Sequence, residues 1–534
     1  MAYDYAPFPY VAPPGLNAAE ARHPVVIIGA GPVGLALAID LALRGVKSVV
    51  LDDNNVVSLG SRAICWSKRT LEIFDRLGVG DRMLEKGVTW KVGRQFHRDT
   101  EIYAFDLLPE QGHKYPAFIN LQQYYVEEYL VERAQDFPDL IDLRFLNKVV
   151  DHTDHEDYMT LTIQTPNGPY RLEAEWLVAC DGAGSATRQR MNLAFEGETF
   201  EENFLIVDVE MATSPFGTHD TPERWFWFSP PFHNGQSALL HKQPDNIYRI
   251  DLQLGPDTDP HTEATKERVI PRIKAIIGDA PFRLDWQSVY RFRCARLERF
   301  VHNRTVFAGD SAHVVSPFGA RGGNGGIQDV DNLGWKLAAV CAGKAPANLI
   351  DSYDAERGMA CDENILNSAR ATNFMTPKSP METLFRDEVL SLAAQHPFAR
   401  ALINSGRLSL PFVLSQSALH SSGDSHFPIG SPVLDAPVSS PDGPSWLIDE
   451  IPSDFCLLHG GPVPIPAVCD LPRIGVGHQS DYTCFEDPTG LLKQRYGTDD
   501  TYLLRPDGHI CAAFRTVSEQ AVAKAMNKAL GNSA

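Results

Sequence analysis

Pro24-Val25-Val26-Ile27-Ile28-Gly29-Ala30-Gly31-Pro32-Val33-Gly34-Leu35 is the stretch on which the fold turns. Val25 to Ile28 is a short apolar, β-branched run, the pattern of a strand buried on both faces of a parallel sheet. Gly29, Gly31 and Gly34 then form G-x-G-x-x-G, and Pro32 suits the first turn of a helix. That helix is expected to run through Leu35, Leu37, Ile39 and Leu41 to Gly45, a C-terminal cap. Val49-Val50-Leu51 follows as a second strand and ends in Asp52, eighteen positions after Gly34. In such a unit Gly29 makes the tight turn, Gly31 admits a pyrophosphate to the backbone, and Gly34 lets helix pack on strand. The helix N-terminus attracts the anion, and Asp52 can accept hydrogen bonds from a ribose hydroxyl. The stretch predicts a dinucleotide site.

Around it lies a chain of 534 residues with ordinary globular composition, long enough for two to four domains. Its formal charge of −20 argues against nucleic acid or an anionic membrane as the main partner. No apolar run is long enough to span a bilayer, and Met1 to Pro14 does not read as a signal peptide. The nine cysteines are scattered, odd in number and without C-x-x-C, which suits reduced thiols in a cytoplasmic protein. No paired ligand spacing suggests a structural zinc site, and no metal is expected.

Beyond Asp52, Arg62 follows closely enough to reach the phosphate or ring edge of a bound cofactor, and position alone fits a solvated loop arginine equally; a helix is expected near Lys68 to Leu77. Asn120-Leu121-Gln122-Gln123 opens another, with Val126, Leu130 and Ala134 on one face. Leu143 to Val150 and Met159 to Gln164 read as strands separated by the acidic turn Asp151 to Asp157. Trp176 to Cys180 repeats the apolar strand before acid and glycine, Asp181-Gly182. From about Met191 to Tyr290, short alternating runs between Pro, Gly and Asp turns predict an inserted, largely antiparallel β domain. Its densest aromatic stretch is Arg224-Trp225-Phe226-Trp227-Phe228, either sheet core or the wall of an apolar pocket.

Thr305 to Asp310 is again strand, glycine, acid. Ser311-Ala312-His313 and the run Pro317 to Gly326 follow, then a helix expected from Ile327 to Cys341. So many glycines before a helix allow close backbone approach to a ligand. His313 is close enough to Asp310 to serve as a base, although a hydrogen-bonded structural role is commoner. Helices are expected from Ile350 to about Leu419, a linker from Ser421 to Pro444, and a small α/β unit at the end.

With Gly29-x-Gly31-x-x-Gly34, Cys180-Asp181-Gly182 and Gly309-Asp310-Ser311-Ala312-His313 in this order, the chain resembles the class A FAD-dependent aromatic hydroxylases. The nearest branch is that of the 3-(3-hydroxyphenyl)propionate and phenol hydroxylase-like enzymes. The match covers about residues 24–375. Further on, Leu503-Leu504-Arg505-Pro506-Asp507-Gly508 resembles the thioredoxin-like domain of the phenol hydroxylase branch, without its C-x-x-C. The implied fold is α/β. A Rossmann-like FAD-binding domain (1–190 and 290–375) would carry an inserted antiparallel β-sheet substrate domain (191–289). A helical segment and linker (376–430) and a thioredoxin-like C-terminal domain (431–534) would follow.

The resemblance also implies roles. Gly29, Gly31, Pro32, Gly34 and Asp52 would hold the ADP half of FAD, and Arg62 and Gln123 its phosphates. Asp181 and Gly182 would serve FAD and the passing nicotinamide cofactor, and Gly309 and Asp310 the ribityl chain. The backbone at Gly322, Gly323 and Asn324 would face the flavin N1–O2 edge, where the helix dipole favours reduced, anionic flavin. The Pro317 carbonyl would lie near the oxygen-activating carbon. His241 and Tyr248 suit phenol deprotonation, and Trp225, Trp227, Arg249, Phe318 and Arg321 are candidate substrate contacts. The family commonly has Gly-Gln-Gly or Gly-Ala-Lys-Gly where this chain has Gly319-Ala320-Arg321-Gly322, so Arg321 would meet substrate or FAD differently.

The implied reaction is NAD(P)H- and O₂-dependent hydroxylation of a small phenolic or amino-substituted aromatic ring through a flavin C4a-hydroperoxide, in aromatic catabolism. The alternatives are an FAD hydroxylase or epoxidase of a larger polyketide-like aromatic, and a non-catalytic flavin-binding protein with an interaction module. Partners would be a small aromatic and O₂, not nucleic acid or membrane, and a homodimer is compatible with the reading. None of the three motifs lies beyond residue 330, so the C-terminal domain is expected to be dispensable for flavin reduction.

Overall fold

The structure is a computed structural model; it describes residues 3–19, 21–60, 62–216, 221–403, 411–441, 443–477 and 483–532. Along the chain its first elements are β1 (His23–Ile28), α1 (Pro32–Leu43), β2 (Ser48–Leu51), α2 (Lys68–Arg76), β3 (Val92–His97), β4 (Thr100–Asp106) and α3 (Gln123–Ala134). Next come β5 (Ile141–Arg144), β6 (Lys148–Asp154), β7 (Met159–Thr165), β8 (Gly168–Ala179), β9 (Phe195–Glu210), β10 (Arg224–Phe228), β11 (Ala238–Lys242), β12 (Ile247–Leu254) and β13 (Arg283–Leu297). They are followed by β14 (Thr305–Phe307), α4 (Gly322–Cys341), α5 (Asp351–Met375) and α6 (Pro380–Gln395).

β1 and β2 are the apolar runs expected of interior parallel strands, and they pair in parallel. In the first sheet β5, β2, β1, β8 and β14 lie side by side and parallel. The registers set Ile28 level with Leu51 and Ala179, and Ala179 level with Phe307. The strands therefore end together, and Gly29, Asp52, Cys180 and Ala308 follow along one edge. The chain leaves β1 for β2 on one side and later returns as β8 on the other, and at such a reversal an open α/β sheet forms its ligand crevice. α1 is buried from Gly34 to Ala42, as befits a helix that is apolar all round.

Three local expectations change. Leu143 to Val150 is not one strand: β5 stops at Arg144, Leu146 turns with φ of 59°, and β6 begins at Lys148. β6 continues through Asp154 because its backbone pairs with β7, so much of the acidic stretch is strand and the turn closes at His155–Tyr158. The glycine-rich run is also not a loop before a helix. Gly322 to Gly326 is already the first part of α4.

The second sheet has the order His313–Val314, β13, β9, β12, β11, β10, β3, β4. β3 and β4 come from well before residue 191, joined through a parallel pairing of β10 with β3. Side chains alternate across it. Leu205, Val207, Leu240, Tyr248 and Ile250 pack with Val269 and Ile273 of the helix Lys266–Ile277 on one face. The other face, with Ile206, Leu239, His241, Arg249 and Asp251, turns towards the edge of the first sheet.

The last part is β15 (Cys456–His459), β16 (Arg473–Val476), β17 (Thr483–Phe485), β18 (Thr501–Leu504), β19 (Ile510–Phe514) and α7 (Glu519–Ala529). Parallel β17, β16 and β15 are extended by antiparallel β18 and β19, a small mixed sheet of the expected kind. It is not loosely tethered. Trp335 and Leu349 share a core with Phe455, Leu457, Leu503 and Val522. The Trp335 indole donates to an Asp507 carboxylate oxygen at 3.1 Å, and Arg69 donates to the Asp507 carbonyl at 2.7 Å.

Candidate active site

One cavity of about 760 Å³ runs along the level strand ends and under the second sheet. That size is within the roughly 300–1,000 Å³ of small-molecule and cofactor sites. Its first end is the glycine turn. Gly29 has φ of 104°, and a Cβ there would sit 2.5 Å from the Cys180 carbonyl oxygen. A Cβ on Gly34 would come within 2.0 Å of the Gly29 carbonyl oxygen, so helix and strand meet closely. Above Gly31, by contrast, an added Cβ meets nothing within 4 Å. Pro32 opens α1, whose N-terminus points its partial positive charge at this space.

Asp52 closes the turn from beside it. Its carboxylate accepts the Ala30 N–H at 2.6 Å and the Asn54 N–H at 2.8 Å. Burial raises its pKa, and these two backbone bonds oppose the rise. Each oxygen keeps a lone pair for a further donor. Gln123 and Glu127, one turn apart on α3, fasten the loop that follows. The Ala63 N–H donates to Gln123 at 3.1 Å, Gln123 donates to Glu127 at 2.8 Å, and the Ser58 hydroxyl donates to Glu127 at 2.7 Å. Gln123 thus reaches the cavity wall chiefly as a loop fastener, a duty it shares with Glu127. Arg62 lines the cavity beside them.

Midway stand the other two acids. Asp181 accepts the Thr187 N–H at 3.0 Å through one oxygen, while the other is buried and without a partner. Gly182 follows with φ of 75°, and Gly309 turns with φ of 64°. Asp310 projects into the cavity, and no described residue donates a hydrogen bond to its carboxylate. Enclosure by protein raises its pKa, against the pull of His313 and Arg62. His313 itself is not poised as a base. It is buried against Asp329 at 2.7 Å, and the same carboxylate accepts from Arg357 at 2.7 Å and from the Gly309 N–H at 3.0 Å. The three hold the Gly309–Asp310 turn in place.

The start of α4 forms the next wall. Gly323 lies close to Trp66 and Ala63, where a Cβ would be 3.3–3.4 Å from them. The Asn324 side chain is spent on scaffold: it accepts the Ser67 N–H at 2.9 Å and donates to the Cys65 carbonyl at 2.9 Å. What Gly322, Gly323 and Asn324 offer the cavity is therefore backbone. Ala320 holds φ of 53°, a strained region for a residue with a Cβ. Arg321 lines the cavity and donates to Asn364 at 2.9 Å, and burial lowers its pKa.

The far end is closed by Pro317, Phe318, Phe292, Tyr290, Ile206, Leu239, Trp90 and Phe118. Phe318 packs edge-on against Phe204 and Phe292, at centroid distances of 4.9 and 5.9 Å. His241 faces in, buried against Trp90, with its Nδ1 unpartnered. Burial, then Arg224 and Arg249, hold it well below its ordinary pKa, so the ring is neutral. Arg249 is present too, but it forms a two-point pair with Asp208 at 2.9 and 2.8 Å.

Trp225, Trp227 and Tyr248 are not in this wall. They are one residue out of phase with Arg224, His241 and Arg249, so the strand pleat sends them through to the opposite face. There Phe96 stacks on Trp227 at 5.3 Å, and Phe216 packs against both Trp225 and Tyr248. The aromatic run is sheet core. Conversely Arg224 and Asp251 line the cavity, and the sequence signal for them is the same alternation, counted from Arg249.

The donor set fits FAD. An open cradle over Gly31, an orphaned Asp181 oxygen, an unengaged Asp310 carboxylate and a backbone-only helix start are what a pyrophosphate, ribose, ribityl chain and flavin ring would each need. Residues 22–368 match the family described as FAD binding domain. A 3-(3-hydroxy-phenyl)propionate/3-hydroxycinnamic acid hydroxylase of Mycolicibacterium gilvum is 28% identical over 80% of this chain and 74% of its own length. A 12-dehydrotetracycline 5-monooxygenase/anhydrotetracycline 6-monooxygenase of Streptomyces rimosus is 28% identical over 92% of this chain and 95% of its own. Among solved structures, the flavin-dependent monooxygenase PieE in complex with FAD and substrate superposes with a TM-score of 0.82. It is 21% identical and covers 97% of this chain and all of that one, a likeness of fold.

Proposed function

The chain belongs to the FAD binding domain family and is a flavin-dependent aromatic monooxygenase, and from that premise we propose that it hydroxylates a small phenolic or amino-substituted aromatic ring, with NAD(P)H as reductant. The observation that carries this reading is the continuity of the cavity from the Gly31 cradle, past Asp310 and Gly323, to Pro317, Phe318 and His241. FAD held there would supply the redox chemistry, hydride acceptance from NAD(P)H and transfer of one atom of O₂ to the ring with the other released as water.

The chain's own residues do the rest. Gly31 and the α1 N-terminus would bind the pyrophosphate, and Asp52 and Asp310 would accept hydrogen bonds from ribose and ribityl hydroxyls. The start of α4 turns its partial positive charge into the cavity, where it would favour negative charge on a bound flavin. Phe292, Phe318, Leu239 and Trp90 hold the ring and exclude water, which would otherwise divert reductant to peroxide. The unpartnered Nδ1 of the neutral His241 can accept the phenol hydrogen, raising electron density on the ring as it is attacked. The chamber beyond Pro317 is closed by aromatic side chains together with the polar row that includes His241 and Arg249, which suits a small substituted ring. A larger polyketide-like aromatic is the second reading; the relative of tetracycline chemistry that aligns with nearly the whole chain favours it.

The test is turnover by the FAD-loaded protein. NAD(P)H consumption, peroxide yield and product mass are measured across simple phenols, hydroxyphenylpropionates, anilines and a multi-ring polyketide-like phenol. Coupled product from the small rings is expected. Product from the multi-ring compound alone would favour the second reading, and oxidation with no product from any would overturn both.

A further inference from the structure

Arg224, His241, Arg249 and Asp208 form a row across four neighbouring strands. His241 is registered with Arg249, Arg249 with Asp208, and Arg224 stands one residue before Trp225, which is registered with Leu240. Asp251 lies one pleat along, registered with Leu239 and Ile206. Four of these, all but Asp208, line the inner end of the cavity.

Their charges are unevenly satisfied. Arg249 is neutralised by its two-point bond to Asp208, to which Gln243 also donates at 2.9 Å. Arg224 has no such partner. Its Nε is buried without a hydrogen bond, and no described residue makes an ion pair with the guanidinium. Burial lowers its pKa, with only partial relief from Cys65 and Asp251. A buried guanidinium with no partner is costly and is rarely kept without one. Asp251 does not fill that place. One of its oxygens is itself unpartnered, and burial raises its pKa to about 6.

We infer that Arg224 is the anchor for a carboxylate carried by the aromatic substrate, so that the enzyme takes aromatic acids in preference to their neutral counterparts. The planar fork of an arginine matches the two oxygens of a carboxylate. The site is pre-built, because Arg249 is locked by Asp208 and cannot compete for the anion. Next to Arg224 in the row, His241 offers a neutral acceptor to a ring hydroxyl. Arg224 is thus a binding and specificity residue, and this inference rests on the hydroxylase reading above.

The experiment titrates FAD-loaded protein with benzoate, 4-hydroxybenzoate and 1-naphthoate, and with the methyl ester of each. Binding is read from the absorption of the bound flavin and from tryptophan fluorescence. At least one acid is expected to bind tenfold or more tightly than its ester. Arg224→Gln should remove that preference by weakening the acid alone, and Arg224→Lys should restore part of it. Unchanged FAD affinity and unfolding temperature identify a properly folded variant, and the acid–ester comparison on the unaltered protein needs no variant at all. Esters binding as tightly as acids, no acid binding at millimolar concentration, or a preference that survives Arg224→Gln would each overturn the inference. Coupled turnover of neutral phenols in those cases would leave the hydroxylase reading intact. Failure to bind FAD or oxidise NAD(P)H would remove that reading instead.

Discussion

Arg505, at the end of β18, donates to both carboxylate oxygens of Glu356 on α5, at 2.6 and 3.2 Å, and both side chains are fully buried. Lys336 of α4 donates to the same carboxylate at 2.8 Å, and Arg505 also holds Asp507. The C-terminal domain is therefore bolted to the two helices behind the site, so removing it should cost stability, a separate matter from flavin reduction. Cutting the chain near Ser421 would strip Glu356 of Arg505 and leave Lys336 as its one cationic partner among the described residues. Arg505→Met is expected to cost about 3–5 kcal/mol, because it leaves a buried carboxylate undercompensated. Urea unfolding measures it, and a loss below about 1 kcal/mol would count against the bolt.

The same cluster sets an acid limit. Burial alone would raise the Glu356 and Asp507 carboxyls, but Arg505, aided by Lys336 and His509 respectively, outweighs it and holds both well below the ordinary range. A carboxyl depressed in the folded state contributes stability above its unfolded pKa, about 4, and loses it as pH falls further. Unfolding midpoints should drop steeply below about pH 4, and less steeply in Arg505→Met.

Asp310→Asn should separate binding from folding. The carboxylate has no protein donor to lose, so apoprotein stability should stay the same or rise slightly. FAD would lose a charged acceptor worth roughly 1.5–3 kcal/mol, a tenfold to hundredfold weakening. Titration of apoprotein with FAD checks the second figure and thermal unfolding of apoprotein the first.

Trp227→Ala tests the assignment of the aromatic run to core. It should cost about 3–5 kcal/mol of stability and leave affinity for aromatic ligands within about twofold. A selective loss of ligand affinity with stability intact would return Trp227 to the substrate wall.

Asp251 supplies a pH dependence of opposite sign to Glu356. Its folded pKa of about 6 is above the unfolded value, so stability falls as pH rises from about 4 to 6. Above that window Asp251→Asn should be the more stable protein by about 1–3 kcal/mol, and the gap should close below pH 4. The groups facing Asp251 are Arg224, Arg249, Asp208, His241 and Cys65. Unfolding curves of the two proteins at pH 4, 6 and 8 decide it.

Local chemistry made much of this site legible in advance. Gly29, Gly34 and Gly309 announce positions where a Cβ would strike backbone or a packed valine, and an apolar strand ending in an acid announces Asp52, Asp181 and Asp310. The face of a strand is harder to read, because a slip of one residue exchanges its two sides. Read one residue out of phase, the run offers Trp225 and Trp227 to the cavity where Arg224 stands. Gly322 to Gly326 misled for another reason: its low helix propensity is overridden by packing, with Gly326 under Val33 and Asn324 tied to Ser67. Pairings such as Arg505 with Glu356, 149 residues apart, leave no local trace in the chain.

The level strand ends also govern when the protein can become a holoenzyme. Gly31, Asp181, Asp310 and Gly323 surround one ligand but are spread over nearly three hundred positions of sequence. A chain emerging from the ribosome has no complete cofactor site until α4 is out. Capture of FAD must therefore come late in synthesis or after it, and until then the half-formed sheet must hold together on its own apolar packing. Once bound, the cofactor ties the first, middle and late segments to one another, and its concentration sets how firmly they stay joined.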